Sequence, residues 1–510
     1  MIVESAWMAN GVLMVFAALV GGGGFIYFHR QGCTLSEAAA YGCAVLVMIQ
    51  AWIGQVAFMA GATRFYLLFL LIAALAWLKT ARRMPAVLSI HMTAVIGFVR
   101  RYPLASAGLL TCWGYTALAS VWPMPRLYGA VLEALAPLWR HDGNIFSMGR
   151  NASVGALPVL NHLVFTAPWQ PPLAIVLANM AAYLAVGFCT YALSRRYAWP
   201  SLAITVTLLV VSMTRLVHQG MNAYSELLPA AASLTALLAL YRSTERPQVM
   251  DFAMLACATG YSVAGGRLCF LMPAVLFGLS LVLLARRHEI RLWGRNTGRK
   301  MGALMTLALI LIVFMQAGPV GVNITAGRPW IGHIPWDQVT FNGDGLRGTA
   351  ANMARYLVLS IDFPEFIDRG IGWLVGIGPL AGLKVLYEGT VTATLDGLGA
   401  AAPFELSWAA PHKFVWFGPM GFLVIMPSVL IAFWRGPHRL KSTALALAAY
   451  WILVALIAAW RPENVRLMTR FFVCGGFLMA FALPPWRLRR IGRLLLQLLG
   501  ILIMAHAILF

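Results

Sequence analysis

The chain has 510 residues, 61% of them hydrophobic and only 11% charged, with a mean hydropathy of +0.78. A soluble domain carries about 25% charged residues, so this composition excludes a soluble enzyme, a disordered protein and a coiled coil. Its apolar runs, long enough to cross about 30 Å of hydrocarbon, also exclude an outer-membrane barrel. The net charge of +21, from 38 Lys and Arg against 17 Asp and Glu, follows the connections between runs rather than a face of a soluble element, which sets nucleic-acid binding aside.

Fourteen apolar runs read as candidate membrane spans: 8–28, 36–60, 64–78, 104–121, 171–194, 198–215, 226–241, 250–263, 267–285, 301–321, 416–434, 442–460, 471–486 and 491–510. This is an all-α membrane protein, a polytopic bundle of about 12–14 transmembrane helices. The runs at 64–78 and 250–263 are short enough to be broken or re-entrant, and 84–99 fits a helix lying in the membrane interface. The N-terminus holds Glu4 and no basic region, so the first run reads as a retained span rather than a signal peptide.

Lys and Arg gather in alternate connections, from Lys79, Arg82, Arg83, Arg100 and Arg101 to Arg435, Arg439 and Lys441. The positive-inside rule makes these connections cytoplasmic and puts both termini outside. Most acids then fall on the outer side, among them Glu133, Asp142, Glu226, Asp337, Glu405 and Glu463. Two outer connections, 122–170 and 322–415, are long without linker composition, the mark of functional loops. The chain thus divides into N-terminal helices with a cytoplasmic connection (1–103), a transmembrane core with a first outer loop at 122–170 (104–321), a large outer loop (322–415) and C-terminal helices (416–510).

Span centres hold no Asp, Glu, Lys or Arg; the nearest, Glu37, Arg215, Glu226, Asp251 and Arg267, lie at span ends. Ion-coupled transporters use buried midplane charges, so the chemistry is expected at the outer surface. The seven scattered cysteines read as packing residues, and the Gly21–Gly24 run, followed by no strand–helix unit, as helix packing. His162, His218, His333 and His412 are expected to face outward in ordinary polar contacts, without metal-ligand spacing. Asn323-Ile-Thr325 matches a glycosylation acceptor.

Three stations on the outer side carry the chemistry. The stretch 138–151 of the first loop holds one carboxylate, Asp142, with Arg140, His141, Phe146 and Arg150 around it. Cations keep a carboxylate ionised and ready to accept a proton as general base; the same spacing fits a solvated acid paired to Arg150. The second station, Asn222-Ala-Tyr224-Ser-Glu226, delivers an acid to the head of a span, where the helix dipole stabilises it whatever its task. The third places Arg461, Arg466 and Arg470 within ten outer residues, against the charge trend. Guanidinium forks bind phosphate oxygens, either of a specific lipid phosphate or of headgroups in general.

In order, side and spacing these stations resemble the GT-C superfamily of integral-membrane glycosyltransferases, nearest to the bacterial branch similar to protein mannosyltransferases and lipid A aminoarabinose transferases. There the first outer loop carries an aspartate, an aromatic four residues on and an arginine eight on, matched by Asp142, Phe146 and Arg150. A later outer acid matches Glu226, and an arginine–aromatic pair opening a late span matches Arg470-Phe471. The likeness covers roughly 104–486. It departs at Gly143, Phe146-Ser147 and Gly149, where many relatives have a second acid, a Tyr-His pair and a proline.

The resemblance implies a multi-pass protein of a bacterial inner membrane with its active site on the periplasmic face. It implies a polyprenyl-phosphate sugar donor, a glycolipid, polysaccharide, wall-polymer or protein acceptor, membrane lipids as surroundings, and inversion at the anomeric carbon. Asp142 and Glu226 would be the catalytic acids, and Arg470, Arg466, Arg461 and Arg150 the donor-phosphate ligands. His141, Phe146, Asn222, Tyr224 and Trp336 would bind acceptor or sugar, and a divalent cation (Mg or Mn), if used, would sit at Asp142 and Glu226. The rival readings are a lipid-linked oligosaccharide flippase and an O-antigen polymerase or ligase.

Overall fold

A computed structural model describes residues 2–121, 160–163, 173–221, 226–265, 268, 270–285, short pieces between 306 and 324, 342–360, 365–392, 397–402, 404, 417, 421–483 and 490–509. Among these residues 86% are helical and none forms a strand, as expected where hydrocarbon forces each backbone group to find its partner within the segment.

The first three helices, α1 (Trp7–Arg30), α2 (Leu35–Met59) and α3 (Thr63–Ala81), are each long and apolar enough to cross a membrane. Thr34 starts α2 through a capping box: its side chain accepts the Glu37 N–H, and the Glu37 carboxylate accepts the Thr34 N–H at 2.9 Å. The Gly21–Gly24 run packs as its composition predicts. A Cβ on Gly24 would lie 3.2 Å from Gly42 Cα, so the missing side chains let α1 and α2 approach backbone to backbone.

Helix α4 (Met84–Arg101) buries no residue. It touches the body through His91, 3.2 Å from His29, and Phe98, edge-on to Tyr191. Then follow α5 (Pro103–Val121), α6 (Leu173–Ser194), α7 (Pro200–Val211), α8 (Thr214–Met221), α9 (Leu227–Glu245), α10 (Val249–Val263) and α11 (Leu271–Ala285). Helices α12 (Gly345–Ser360), α13 (Glu365–Val375) and α14 (Pro379–Leu386) belong to the long loop. The chain closes with α15 (Met426–Arg435), α16 (His438–Ile457), α17 (Asn464–Ala482, part 3-10) and α18 (Arg490–Leu509).

Six helices among the described residues pass as membrane spans, or up to eight if the bent pairs α7/α8 and α13/α14 each count as one. Helices α10 and α11, at 15 residues each, are shorter than a span, and the runs 301–321 and 416–434 are described only in part.

Helix α9 is the central post, buried from Leu227 to Thr244. Its hydroxyls turn back onto its own carbonyls: Ser233 donates to Pro229 O at 2.9 Å and Thr235 to Ala231 O at 2.8 Å. At the Arg-rich end a charge network ties four helices and the connection after α6 together. Arg242 donates to Glu37 and, at 2.8 Å, to Asp251, which also accepts the Tyr41 hydroxyl at 2.9 Å. Arg196 bridges Glu37 at 2.6 Å and Glu245 at 2.9 Å, and Arg439 reaches Glu245 at 3.2 Å. The acids Glu37 and Asp251 at span ends are therefore structural partners of arginines, charged and enclosed together.

Candidate functional site

The candidate site lies at the opposite end of α9, one helix length (roughly 24 Å at 1.5 Å per residue) from Arg242. Glu226 stands just ahead of α9. Helix α17 begins with a 3-10 turn, Pro462–Leu467, that carries Arg466, and becomes α-helical at Met468. Arg466 Nη1 donates to Glu226 Oε1 at 3.3 Å, with the two side chains 33% and 17% exposed. Glu226 Oε2 is buried with no hydrogen-bond partner among the described residues. Four positions on, Arg470 is buried in the α-helical part.

A third guanidinium joins from α8. Arg215, buried, donates from Nε to Thr469 Oγ1 at 3.2 Å and places its Cζ 5.6 Å from the centre of the Phe417 ring. It reaches this position because the apolar run 198–215 does not continue as one helix: α7 and α8 meet at 65°. The break frees the Val211 carbonyl, which accepts the Tyr183 hydroxyl, and Ser212 Oγ donates to Leu209 O at 3.2 Å. Side chains thus replace the missing helical bonds, the condition for irregular backbone at membrane depth. Arg215 therefore sits inside the body at a helix break, where the sequence placed it at a span end.

The described part of the site thus holds Arg215, Arg466, Arg470 and one carboxylate, with Thr469 and Gln219 beside them. Guanidinium groups in such a partly buried setting favour anions, because little water screens their charge. Among the described residues no three His, Cys, Asp or Glu side chains cluster to hold a metal. A cleft of about 550 Å³ opens at the other, Arg-rich end; Arg196 and Arg439 on its wall are paired there with Glu245.

Two further polar groupings flank the site. Beyond α16, Asn352 Nδ2 donates to Ala455 O at 3.3 Å and Ala458 O at 3.1 Å, and buried Arg355 donates to Leu398 O at 2.7 Å. Trp460 packs edge-on against Tyr356 and Phe404. On the α2 side, residues 160–163 penetrate the body. Asn161 accepts the Tyr261 hydroxyl at 2.6 Å, donates to Val47 O at 2.8 Å and accepts Gln50 Nε2 on its carbonyl at 2.8 Å. His162, expected to face outward, is fully buried. The Asn161 tether draws it among apolar neighbours, and burial pushes its pKa down to about 4, keeping the ring neutral.

Of the residues singled out from the sequence, the structure brings Glu226, Arg466 and Arg470 to one end of the body. Arg461, half-buried, lies outside this group, its carbonyl accepting the Asn464 N–H at 3.0 Å. Asp142, His141, Phe146, Arg150, Asn222, Tyr224 and Trp336 lie outside the described residues. Sequence reasoning missed the pairing of Arg215 with Thr469, which joins positions 254 apart and has no local signature. No family model matches the chain, and no curated protein or solved structure matches it.

Proposed function

We propose that the chain is a membrane glycosyltransferase that moves a sugar from a polyprenyl-phosphate donor to an acceptor at the far side from the Arg-rich connections, the periplasmic face of a bacterial inner membrane. The observation that supports this reading is the pairing of Arg466 with Glu226 at the heads of α17 and α9, with buried Arg470 four residues on in α17 and buried Arg215 of α8 bonded to the adjacent Thr469. A lipid phosphate is an anion delivered at that depth, and its tail would lie between spans.

In this mechanism Asp142 takes the proton of an acceptor hydroxyl as the oxygen attacks the anomeric carbon. The bond from that carbon to the phosphate oxygen breaks, the configuration inverts, and the polyprenyl phosphate leaves as an anion. Arg470 and Arg466 stabilise the charge developing on the leaving oxygen. The open Oε2 of Glu226 accepts a second acceptor hydroxyl and orients it. A divalent cation would require Asp142 beside Glu226, and no step depends on one.

Guanidinium groups buried in the body also fit a polymerase or ligase that works through arginines. Asp142→Asn separates the two: in membranes supplied with radiolabelled polyprenyl-phosphate sugar, loss of a general base costs about 100- to 10,000-fold in transfer. Transfer at the parent rate would discard the mechanism and favour the arginine-dependent enzyme. A transporter needs a polar path between the faces, and α9 between Glu226 and Arg242 offers only apolar side chains and hydroxyls, among which Ser233 and Thr235 bond its own carbonyls.

A further inference from the structure

We infer that residues 365–389 form a re-entrant hairpin whose tip enters the lipid leaflet at the far end of the molecule and returns, without crossing. The hairpin consists of α13 and α14, bent by 83°. Its residues 370–383 carry no charge, while Glu365 and Arg369 precede that stretch on the first arm and Lys384 and Glu388 stand at the far end of the second. A charge-free stretch of about 14 residues is too short to span hydrocarbon and typical of re-entrant segments.

Local chemistry sets the bend. Gly376 has φ +83°, open to glycine and strained for other residues. Asp368 on the first arm accepts the Leu380 N–H at 2.7 Å, capping the second arm, and lies against Gly378, where a Cβ would meet its carboxylate at 2.9 Å. The two arms are therefore fixed to each other at the turn.

Both feet return to one platform. Ahead of the hairpin, Asn342 N–H donates to Ile457 O at 3.3 Å and Asn352 bonds Ala455 and Ala458. After it, Trp460 N–H donates to Gly399 O at 2.6 Å, Ala401 N–H to Trp460 O at 3.0 Å, and Arg355 ties Leu398 back to α12. All of these anchors sit at the end of α16 opposite Arg439, so the hairpin leaves and rejoins the molecule on a single side. A crossing pair is thereby excluded.

The tip presents Trp373, Leu374, Val375 and Ile377, each 62–87% exposed. A contiguous apolar patch of this kind is not left in water, and at the level of the platform the available cover is the hydrocarbon beneath the headgroups. Charges at the feet and apolar side chains at the tip match that boundary in order, with Trp373 an aromatic of the type enriched there. The inference is independent of the proposed activity.

The test is Leu374→Cys in the full-length protein, labelled with an environment-sensitive fluorophore and placed in phosphatidylglycerol/phosphatidylethanolamine nanodiscs; background labelling is subtracted with the parent protein. Leu374 is 74% exposed, so the change leaves packing intact. The expected result is blue-shifted emission, quenched by lipids spin-labelled near the headgroup and not by aqueous iodide. Quenching by iodide with none from the lipids would overturn the inference and put the tip in water. Protection from both quenchers, with an intermolecular disulfide formed through the introduced thiol before labelling, would overturn it in favour of a second copy as the cover.

Discussion

Glu226 and Arg466 stand 240 positions apart in the chain and 3.3 Å apart in space. Their pairing locks the head of the central post α9 to the head of α17, and α17 brings Arg470 into the interior behind them. Oε1 of the carboxylate holds the scaffold, and Oε2 is buried with no hydrogen-bond partner among the described residues.

If Arg470 receives the departing phosphate, Arg470→Ala lowers kcat about 100- to 1,000-fold, the usual loss for one donor aimed at developing charge. Arg470→Lys recovers only part of this, because an ammonium lacks the guanidinium fork. Steady-state kinetics with polyprenyl-phosphate sugar reads both.

The charge network at the other end is a matter of stability. Arg242, Glu37 and Asp251 have side chains only 9%, 6% and 2% exposed. Arg242→Leu leaves the buried Asp251 carboxylate with only the Tyr41 hydroxyl, while Glu37 keeps Arg196, and is expected to cost about 3–5 kcal/mol. Adding Asp251→Asn should restore part of the loss. Thermal unfolding in detergent is the measurement, and an unchanged midpoint for Arg242→Leu would show that the network is not bearing this load.

His162 gives the chain an acid-sensitive point. Its pKa falls from 6.5 to about 4 on burial, so the folded state resists protonation that the unfolded chain accepts. Above pH 6.5 the ring is neutral in both states and costs nothing in this respect; as pH falls toward 4, stability is lost. By pH 5 the loss amounts to about 2 kcal/mol. His162→Leu should flatten that part of the pH–stability curve, and a curve parallel to the parent's would refute the assignment.

At the α1–α2 contact, a Cβ on Gly42 would lie 2.7 Å from Gly21 O and 3.0 Å from Phe25 N. Backbone atoms have little room to yield, so Gly42→Ala is expected to destabilise by about 1–3 kcal/mol. Gly114, where a Cβ would meet nothing within 4 Å, is the matched control, and its alanine variant should unfold with the parent.

Much of this architecture is visible in composition. The run 36–60 becomes Leu35–Met59 because one uninterrupted apolar stretch follows a Thr–x–x–Glu cap, and 64–78 extends to Thr63–Ala81, a helix long and apolar enough to cross. The stations Glu226, Arg466 and Arg470 fall at one end because charge alternation fixes which span heads share a side. The break between α7 and α8 leaves no such trace. No Pro or Gly marks Val211-Ser212-Met213, and the stabilising hydroxyl comes from Tyr183 on another helix. The hairpin at 365–389 is hidden for a different reason: its apolar stretch is diluted by glycine and shorter than a span, so it reads as loop. His162 misleads because a polar side chain next to apolar ones looks solvent-bound until Asn161 is seen to be anchored inside.

A post enclosed on every side, as α9 is, has no lipid-facing stripe to set its azimuth. That angle is fixed by fasteners at its two tips, Glu226 with Arg466 at one and Arg242 with Glu37 and Asp251 at the other. Loosening the Arg242 fastener would let the rod swivel, and the carboxylate at the distant tip would drift off its partner although nothing near it had been altered.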